Sequence, residues 1–210
     1  MHAPNQISLA AKASGEPEFR EIGLGPWSET HPGEPRPDDP TSSNYDGRFD
    51  SVLLNDGDRR NVLDRYRYWT VAAIKADLDA RGRHDFEVAV ENWTHDFNIG
   101  SMVRTANAFQ AKRVHIVGPH KWNRKGALMT ELYQHVEHHP SIAELVESWH
   151  HRIAGEIAYE RAKAGAAAIH AHDVAVDGDN KHLHELLAEI DACDARIKEL
   201  QAARVIALDI

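Results

Sequence analysis

The side chains of this sequence that could do chemistry lie between Glu91 and Gly118, where core packing does not require Asn98 or Arg104. Gly100 precedes Arg104 by one helical turn, so we expect the guanidinium to face outward over a small residue that leaves room for a ligand. A guanidinium stays protonated and can bind an anion through several donors. The segment therefore predicts a ligand site on an exposed helix face.

The charge distribution favours an anionic ligand at this site. The formal net charge of −9 argues against indiscriminate coating of nucleic acid, because that affinity comes from neutralising phosphates with cations. However, no Asp or Glu occurs from Phe97 to Thr130. The cationic residues of this acid-free window are Arg104, Lys112, Arg113, Lys121, Arg124 and Lys125. The window can bind a polyanion locally, and the alternative is a solvated basic surface without a partner.

A strand, a helix and a second strand must position these side chains. Apolar and polar residues alternate through Phe86, Val88 and Val90, which predicts a half-buried strand, and the segment 113–118 (RVHIVG) predicts another. The intervening helix has an apolar stripe of Ile99, Met102, Val103, Ala106 and Phe109. Asn98 falls at its N-cap, where its side chain can bond first-turn N–H groups. The order predicts a parallel α/β sheet, with ligands beyond the carboxyl ends of its strands.

The flanking segments complete the predicted organisation. Residues 1–57 are rich in Pro, Gly, Ser and Asp and predict a partly ordered extension, and residues 58–210 predict the domain. Helical spacing of Val62, Tyr66, Trp69, Ala73 and Leu78 predicts a helix ended by Gly82. Two apolar seams predict a helical-hairpin insertion at about 152–202. The final residues, RVIALDI, predict a buried parallel strand, so we expect the natural polypeptide to continue.

Composition indicates where the protein is located and whether it binds a metal. The chain has one cysteine, no signal-peptide layout at its amino terminus and no apolar run near the roughly 20 residues that span a bilayer. We therefore expect a cytoplasmic protein without membrane contact. The densest histidines are His135, His138, His139, His150 and His151. No cysteine or carboxylate accompanies them at a familiar metal spacing, so we expect no metal site.

The segment from Glu91 resembles the first motif of the SpoU, or TrmH-type, RNA 2′-O-ribose methyltransferases of the knotted SPOUT superfamily. The residues that match this motif in type and spacing are Glu91, Asn92, Asp96, Asn98, Gly100, Arg104, Thr105 and Ala106. The resemblance implies a homodimer that transfers a methyl group from S-adenosylmethionine to a ribose of tRNA or rRNA. It also implies that Arg104 is the central catalytic residue, with Asn98 beside it. Lys121, Arg124 and Lys125 are then candidate contacts to RNA phosphates.

The sequence departs from this family in two ways. Phe97 and Gln110 stand where the family commonly has Pro and Gly, and both changes are tolerable. More importantly, the Gly-x-Glu and Ser-x-Asn segments that form the family's cofactor-binding knot do not follow the first motif here. We therefore expect a SPOUT-like sheet truncated before the knot, with no assigned cofactor residues and poor binding of S-adenosylmethionine. The alternative is a non-catalytic RNA-binding or dimerisation protein that keeps half of the fold.

Overall fold

The computed structural model describes residues 5–16, 22–93, 98–177 and 179–204. The chain divides into two compact units, residues 1–138 and residues 139–210. The helices are α1 (Gln6–Ala13), α2 (Trp27–Thr30), α3 (Ser51–Asp56), α4 (Val71–Ala80), α5 (Ile99–Ala108), α6 (Ile142–Asp177) and α7 (Asn180–Ala202). Within the described ranges, no helix is long and apolar enough to cross a membrane.

The fold is mixed α/β, with a three-stranded parallel sheet flanked by helices. Its strands are β1 (His84–Glu91), β2 (Ala111–Val117) and β3 (Val136–His139), in the order β1-β2-β3. Strands β1 and β2 are parallel, with Val88 opposite Val114. The predicted strand–helix–strand unit is therefore confirmed. Strand β3 ends at His139. The boundary between the two compact units falls one residue earlier, after His138.

Helix α5 covers one face of the sheet with a narrower stripe than the sequence predicts. Ile99, Val103 and Ala106 are buried in a cluster that also contains Val114 and Ile116 of β2. Met102 and Phe109 were predicted in the same stripe, but they are 43% and 67% exposed. Both positions lie on one flank of the helix at 100° per residue. This flank therefore faces away from the core cluster.

The helix before the sheet starts later than predicted. Its spacing suggested a start near Val62, but α4 begins at Val71, where the hydroxyl of Thr70 accepts a hydrogen bond from Ala73 N. Tyr68 has a φ of 62°, which breaks any helix upstream. Gly82 follows the helix with a φ of 84°, as expected for a glycine that ends one.

The amino-terminal segment packs its own aromatic cluster. Trp27 of α2 and Leu54 of α3 are buried with Tyr68. The hydroxyl of Tyr68 donates to the carbonyl of Gly25 at 2.6 Å. Residues 22–57 thus contribute side chains to a core, although their composition resembles a loop.

The second unit contains an antiparallel helical hairpin of α6 and α7. Lys163 lies 3.3 Å from Glu189, and Arg196 lies 3.6 Å from Glu156, so the two helices run in opposite directions. The centre of the buried seam between the two helices consists of Ala167, Ala171, Val174 and Leu186. The strand predicted for the final residues lies outside the described part of the chain.

Candidate nucleic-acid interface

The basic turn predicted to bind phosphate packs directly on α5. Asn123 accepts a hydrogen bond from Lys125 N at 2.9 Å and starts a short 3₁₀ turn, Arg124–Ala127. A Cβ at Gly100 would lie 2.7 Å from Ala127 N and 2.9 Å from Asn123 O. Only glycine permits so close an approach of two backbones. The prediction that Gly100 leaves room for a ligand is therefore wrong, because the chain's own turn occupies that space.

The contact is reciprocal and fixes the position of the cations. A Cβ at Gly126 would lie 3.1 Å from Ser101 N, so both partners of the contact are glycines. Arg124 and Lys125 are exposed on this turn, next to the first turn of α5. Two segments separated by strand β2 in the sequence thus form one surface.

Arg104 lies on the same side of α5 as this turn. It follows Gly100 by four residues, and such pairs share a helix face. Its side chain is exposed, and it makes no hydrogen bond or ion pair with any described residue. Lys121 is also exposed, and the guanidinium of Arg124 lies 5.9 Å from the ring of half-buried Trp122. Arg104, Lys121, Arg124 and Lys125 are hereafter called the basic surface.

Asn98 starts α5 but does not cap it as predicted. Its backbone carbonyl accepts from Met102 N at 2.9 Å, while its side chain makes no capping hydrogen bond. The backbone angles explain this, because φ −75° and ψ −17° are already helical and a side-chain cap needs an extended residue. The side chain is exposed at the amino-terminal end of the helix that carries Arg104. Asp96 and Phe97 lie outside the described residues.

Asn92 is a structural tie at the carboxyl ends of β1 and β2. It is fully buried, and its side-chain NH₂ donates to His120 O at 2.8 Å. Gly118 has a φ of 131°, and a Cβ there would lie 2.8 Å from Asn92 O. The glycine that follows β2 therefore packs against the chain's own backbone and offers no cradle for a cofactor. Gly118 does not fit S-adenosylmethionine, so no step is assigned to this cofactor.

Trp93 was not among the predicted site residues, and it is 49% exposed directly after the carboxyl end of β1. Its indole N–H donates to the carboxylate of Glu91. An aromatic residue immediately past a strand end, where ligands collect in parallel sheets, was the signal that could have revealed it. By contrast, Tyr133 is only 5% exposed, so its ring is not available to stack on a base of RNA.

The face of the sheet opposite α5 carries a polar cluster. The imidazole of His115 lies with its Nε2 2.8 Å from Glu87 Oε2 and its Nδ1 3.5 Å from Glu137 Oε2. Arg113 pairs with Glu137, and its Nε lies 3.6 Å from Glu87 Oε1. These residues come from all three strands and point away from the apolar core, because side chains alternate between the faces of a strand.

Comparisons with known proteins found no relative of this chain. No protein-family model matches it, and no curated protein or solved structure is significantly similar to it. The resemblance to SpoU-type enzymes therefore rests on the residues of the first motif alone.

Proposed function

We propose that the chain is the part of a SpoU-type RNA 2′-O-ribose methyltransferase that carries the first motif, acting on tRNA or rRNA in the cytoplasm. The observation that carries the proposal is the docking of the Arg124–Ala127 turn on Gly100. This contact supports a shared RNA-facing surface for Arg104 and the basic turn. The resemblance supplies S-adenosylmethionine as the methyl donor, and we assign none of the described residues to its binding.

Arg104 has the chemistry that such a transfer needs from a side chain. A ribose hydroxyl is a weak nucleophile until negative charge on its oxygen is stabilised. A fixed guanidinium can hold the neighbouring phosphate and stabilise that charge at the same time. Arg104 does not act as the base, because its guanidinium stays protonated. A phosphate of the substrate accepts the proton of the ribose hydroxyl, and Asn98 orients the ribose.

RNA binding tests the basic surface. Replacing both Arg124 and Lys125 by Ala should weaken binding of a structured tRNA by at least about tenfold. It should also reduce the salt dependence of binding, because fewer counterions are released from the RNA when fewer phosphates are contacted. Binding is measured by fluorescence anisotropy across a salt series. The matched control replaces Lys181 and Lys198, two exposed lysines of α7, and removes the same charge. Equal losses in the two double variants would refute a localised site.

The glycine contact can be tested separately. Gly100→Ala places a Cβ against backbone that cannot rotate away, so we expect a loss of about 1–3 kcal/mol in stability and weaker RNA binding. Gly165→Ala in α6 is the control, because its Cβ would meet nothing within 4 Å and should stabilise the helix by about 0.5–1 kcal/mol. Urea unfolding and anisotropy report the two effects. RNA affinity unchanged in folded Gly100→Ala would show that the docked turn is not needed.

A non-catalytic RNA-binding or dimerisation protein is the second candidate, since the exposed basic surface would bind RNA without any methyl transfer. The exposed pair Met102 and Phe109 supports a homodimer under either proposal, since it is an apolar stripe on one flank of α5. Transfer of labelled methyl groups to RNA by the natural protein separates the two. Transfer that Arg104→Ala abolishes, with RNA still bound, identifies the enzyme. Binding without transfer identifies the second candidate.

A further inference from the structure

Three potential metal ligands meet on the sheet face that α5 does not cover. One ligand atom each from His115 of β2 and from Glu137 and His139 of β3 lies within 4.8 Å of the other two. The two histidines are 2% and 4% exposed. We propose that these residues bind a divalent transition metal, with zinc as the ion that fits best. This proposal is independent of the RNA methyltransferase function and replaces the sequence-based expectation of no metal.

Each histidine has a carboxylate that orients it as a ligand. Glu87 Oε2 lies 2.8 Å from His115 Nε2, which leaves Nδ1 of that ring facing Glu137. Glu144 Oε2 lies 2.5 Å from His139 Nδ1, which leaves Nε2 of that ring as the ligand atom. Metal-binding histidines commonly donate their second N–H to a carboxylate, and this fixes the tautomer and raises the basicity of the ligand nitrogen.

The donor set selects the kind of ion. Two imidazole nitrogens and one carboxylate oxygen suit zinc, whereas calcium and magnesium prefer oxygen ligands alone. Glu137 can serve as a ligand through Oε2 while its other oxygen pairs with Arg113. Its side chain is 33% exposed, which gives the site access to solvent. Zinc ligands lie about 2.0–2.2 Å from the ion, so the side chains would rotate inward by about 1 Å on binding.

Two separate sets of ion pairs hold the buried histidines near one carboxylate, Glu137. His115 with Glu87 and Glu137 would satisfy the charge of one imidazolium. His139 is paired separately with Glu144 and is also buried, although burying a charged imidazole costs desolvation. A bound cation explains why two histidines are buried beside the same carboxylate.

The test is zinc binding by the full chain after removal of metal with a chelator. Competition with a chromophoric chelator should show a dominant site of one zinc per chain. Glu137→Gln and His139→Ala should each weaken this site at least about 100-fold, because each removes one ligand. His138→Ala is the matched control, since His138 is exposed on the other face of β3 and removes the same imidazole. It should leave the affinity unchanged.

Cobalt substitution adds a readout that a merely structural change would not produce. Cobalt bound by two nitrogens and one oxygen should give visible absorption in the wild type and in His138→Ala, and none in Glu137→Gln. Circular dichroism checks that each variant is folded, and Glu137→Gln decides the question if His139→Ala unfolds. The proposal is overturned if the wild type binds no zinc in the micromolar range, or if Glu137→Gln and His138→Ala bind equally well.

Discussion

Two polar networks in the first unit contain largely buried charges, and they differ in how completely their atoms are satisfied. Asp58 is fully buried and accepts hydrogen bonds from Arg60 N, Nε and a terminal nitrogen, and from Tyr68 N, at 2.8–3.0 Å. Arg60 also donates to Trp69 O at 2.8 Å. This network joins the aromatic cluster to the chain around residue 60, and neither Asp58 nor Arg60 has a buried side-chain polar atom without a hydrogen-bond partner.

The network around His115 is not complete. Arg113 Nε is buried but has no hydrogen-bond partner among the described residues. Both ring nitrogens of His115 face carboxylates from neighbouring strands. The difference separates two roles for buried charge. A saturated pair ties segments together, whereas an unsaturated cluster with an additional buried histidine is suited to a ligand.

The largest expected effect is on the saturated network. Asp58→Asn removes the charge that faces Arg60 and leaves a buried guanidinium unpaired, so we expect a loss of about 3–5 kcal/mol in the free energy of unfolding. Urea unfolding followed by tryptophan fluorescence measures it, because Trp27 and Trp69 lie in the clusters that this network joins. A loss below about 1 kcal/mol would mean that the pair is not a structural tie.

Acid should act on the same carboxylate. Burial alone would raise the pKa of Asp58, but hydrogen bonds from Arg60 and Tyr68 N outweigh burial and hold this pKa below its usual value. A lowered pKa means that the stabilisation is complete above the unfolded pKa of about 3.9 and is lost as the pH falls through the folded pKa. Wild-type stability should therefore drop steeply below about pH 4. Asp58→Asn should lack this part of the drop, and parallel pH profiles would contradict the assignment.

Zinc should stabilise the protein against unfolding only by binding to the cluster around His115. At a free zinc concentration 100 times the dissociation constant, binding adds about 2.7 kcal/mol to the free energy of unfolding. Asp46→Asn, far from the cluster in sequence, should keep this gain, and Glu137→Gln should lose it. Urea unfolding with and without zinc measures the difference. An equal gain in Glu137→Gln would place the ion elsewhere.

Glu87→Gln should have a smaller effect, because Glu87 positions His115 without contacting the ion. An amide in place of the carboxylate keeps the size of the side chain but weakens the ring's orientation, so we expect zinc affinity to fall about 10–100-fold with one site retained. The visible spectrum of the cobalt form should persist, unlike in Glu137→Gln. Complete loss of the spectrum in folded Glu87→Gln would mean that Glu87 is itself a ligand.

The sequence predicted the parallel strands and the helix between them because alternation and helical spacing are local signals. It could not predict the late start of α4, which depends on the positive φ of Tyr68. The sequence could not predict the role of Gly100 either. A glycine that leaves room for a ligand and one that packs against another backbone segment cannot be distinguished in a sequence. His115 and His139 are 24 residues apart in numbering, and only pairing of β2 with β3 brings them together.

The smallest effect is expected for an exposed ion pair that has the same local geometry as the buried pair of Asp58 and Arg60. Asp46 and Arg48 repeat the spacing of Asp58 and Arg60, and Asp46 likewise accepts from the N and Nε of its arginine, but Arg48 is 54% exposed. Water and salt screen such a pair, so Asp46→Asn should cost only about 0.2–1 kcal/mol in urea unfolding. Because the substitution and the pair geometry match Asp58→Asn, the difference between the two variants measures what burial adds. Equal losses would mean that local geometry, and not burial, sets the strength of the Asp58 network.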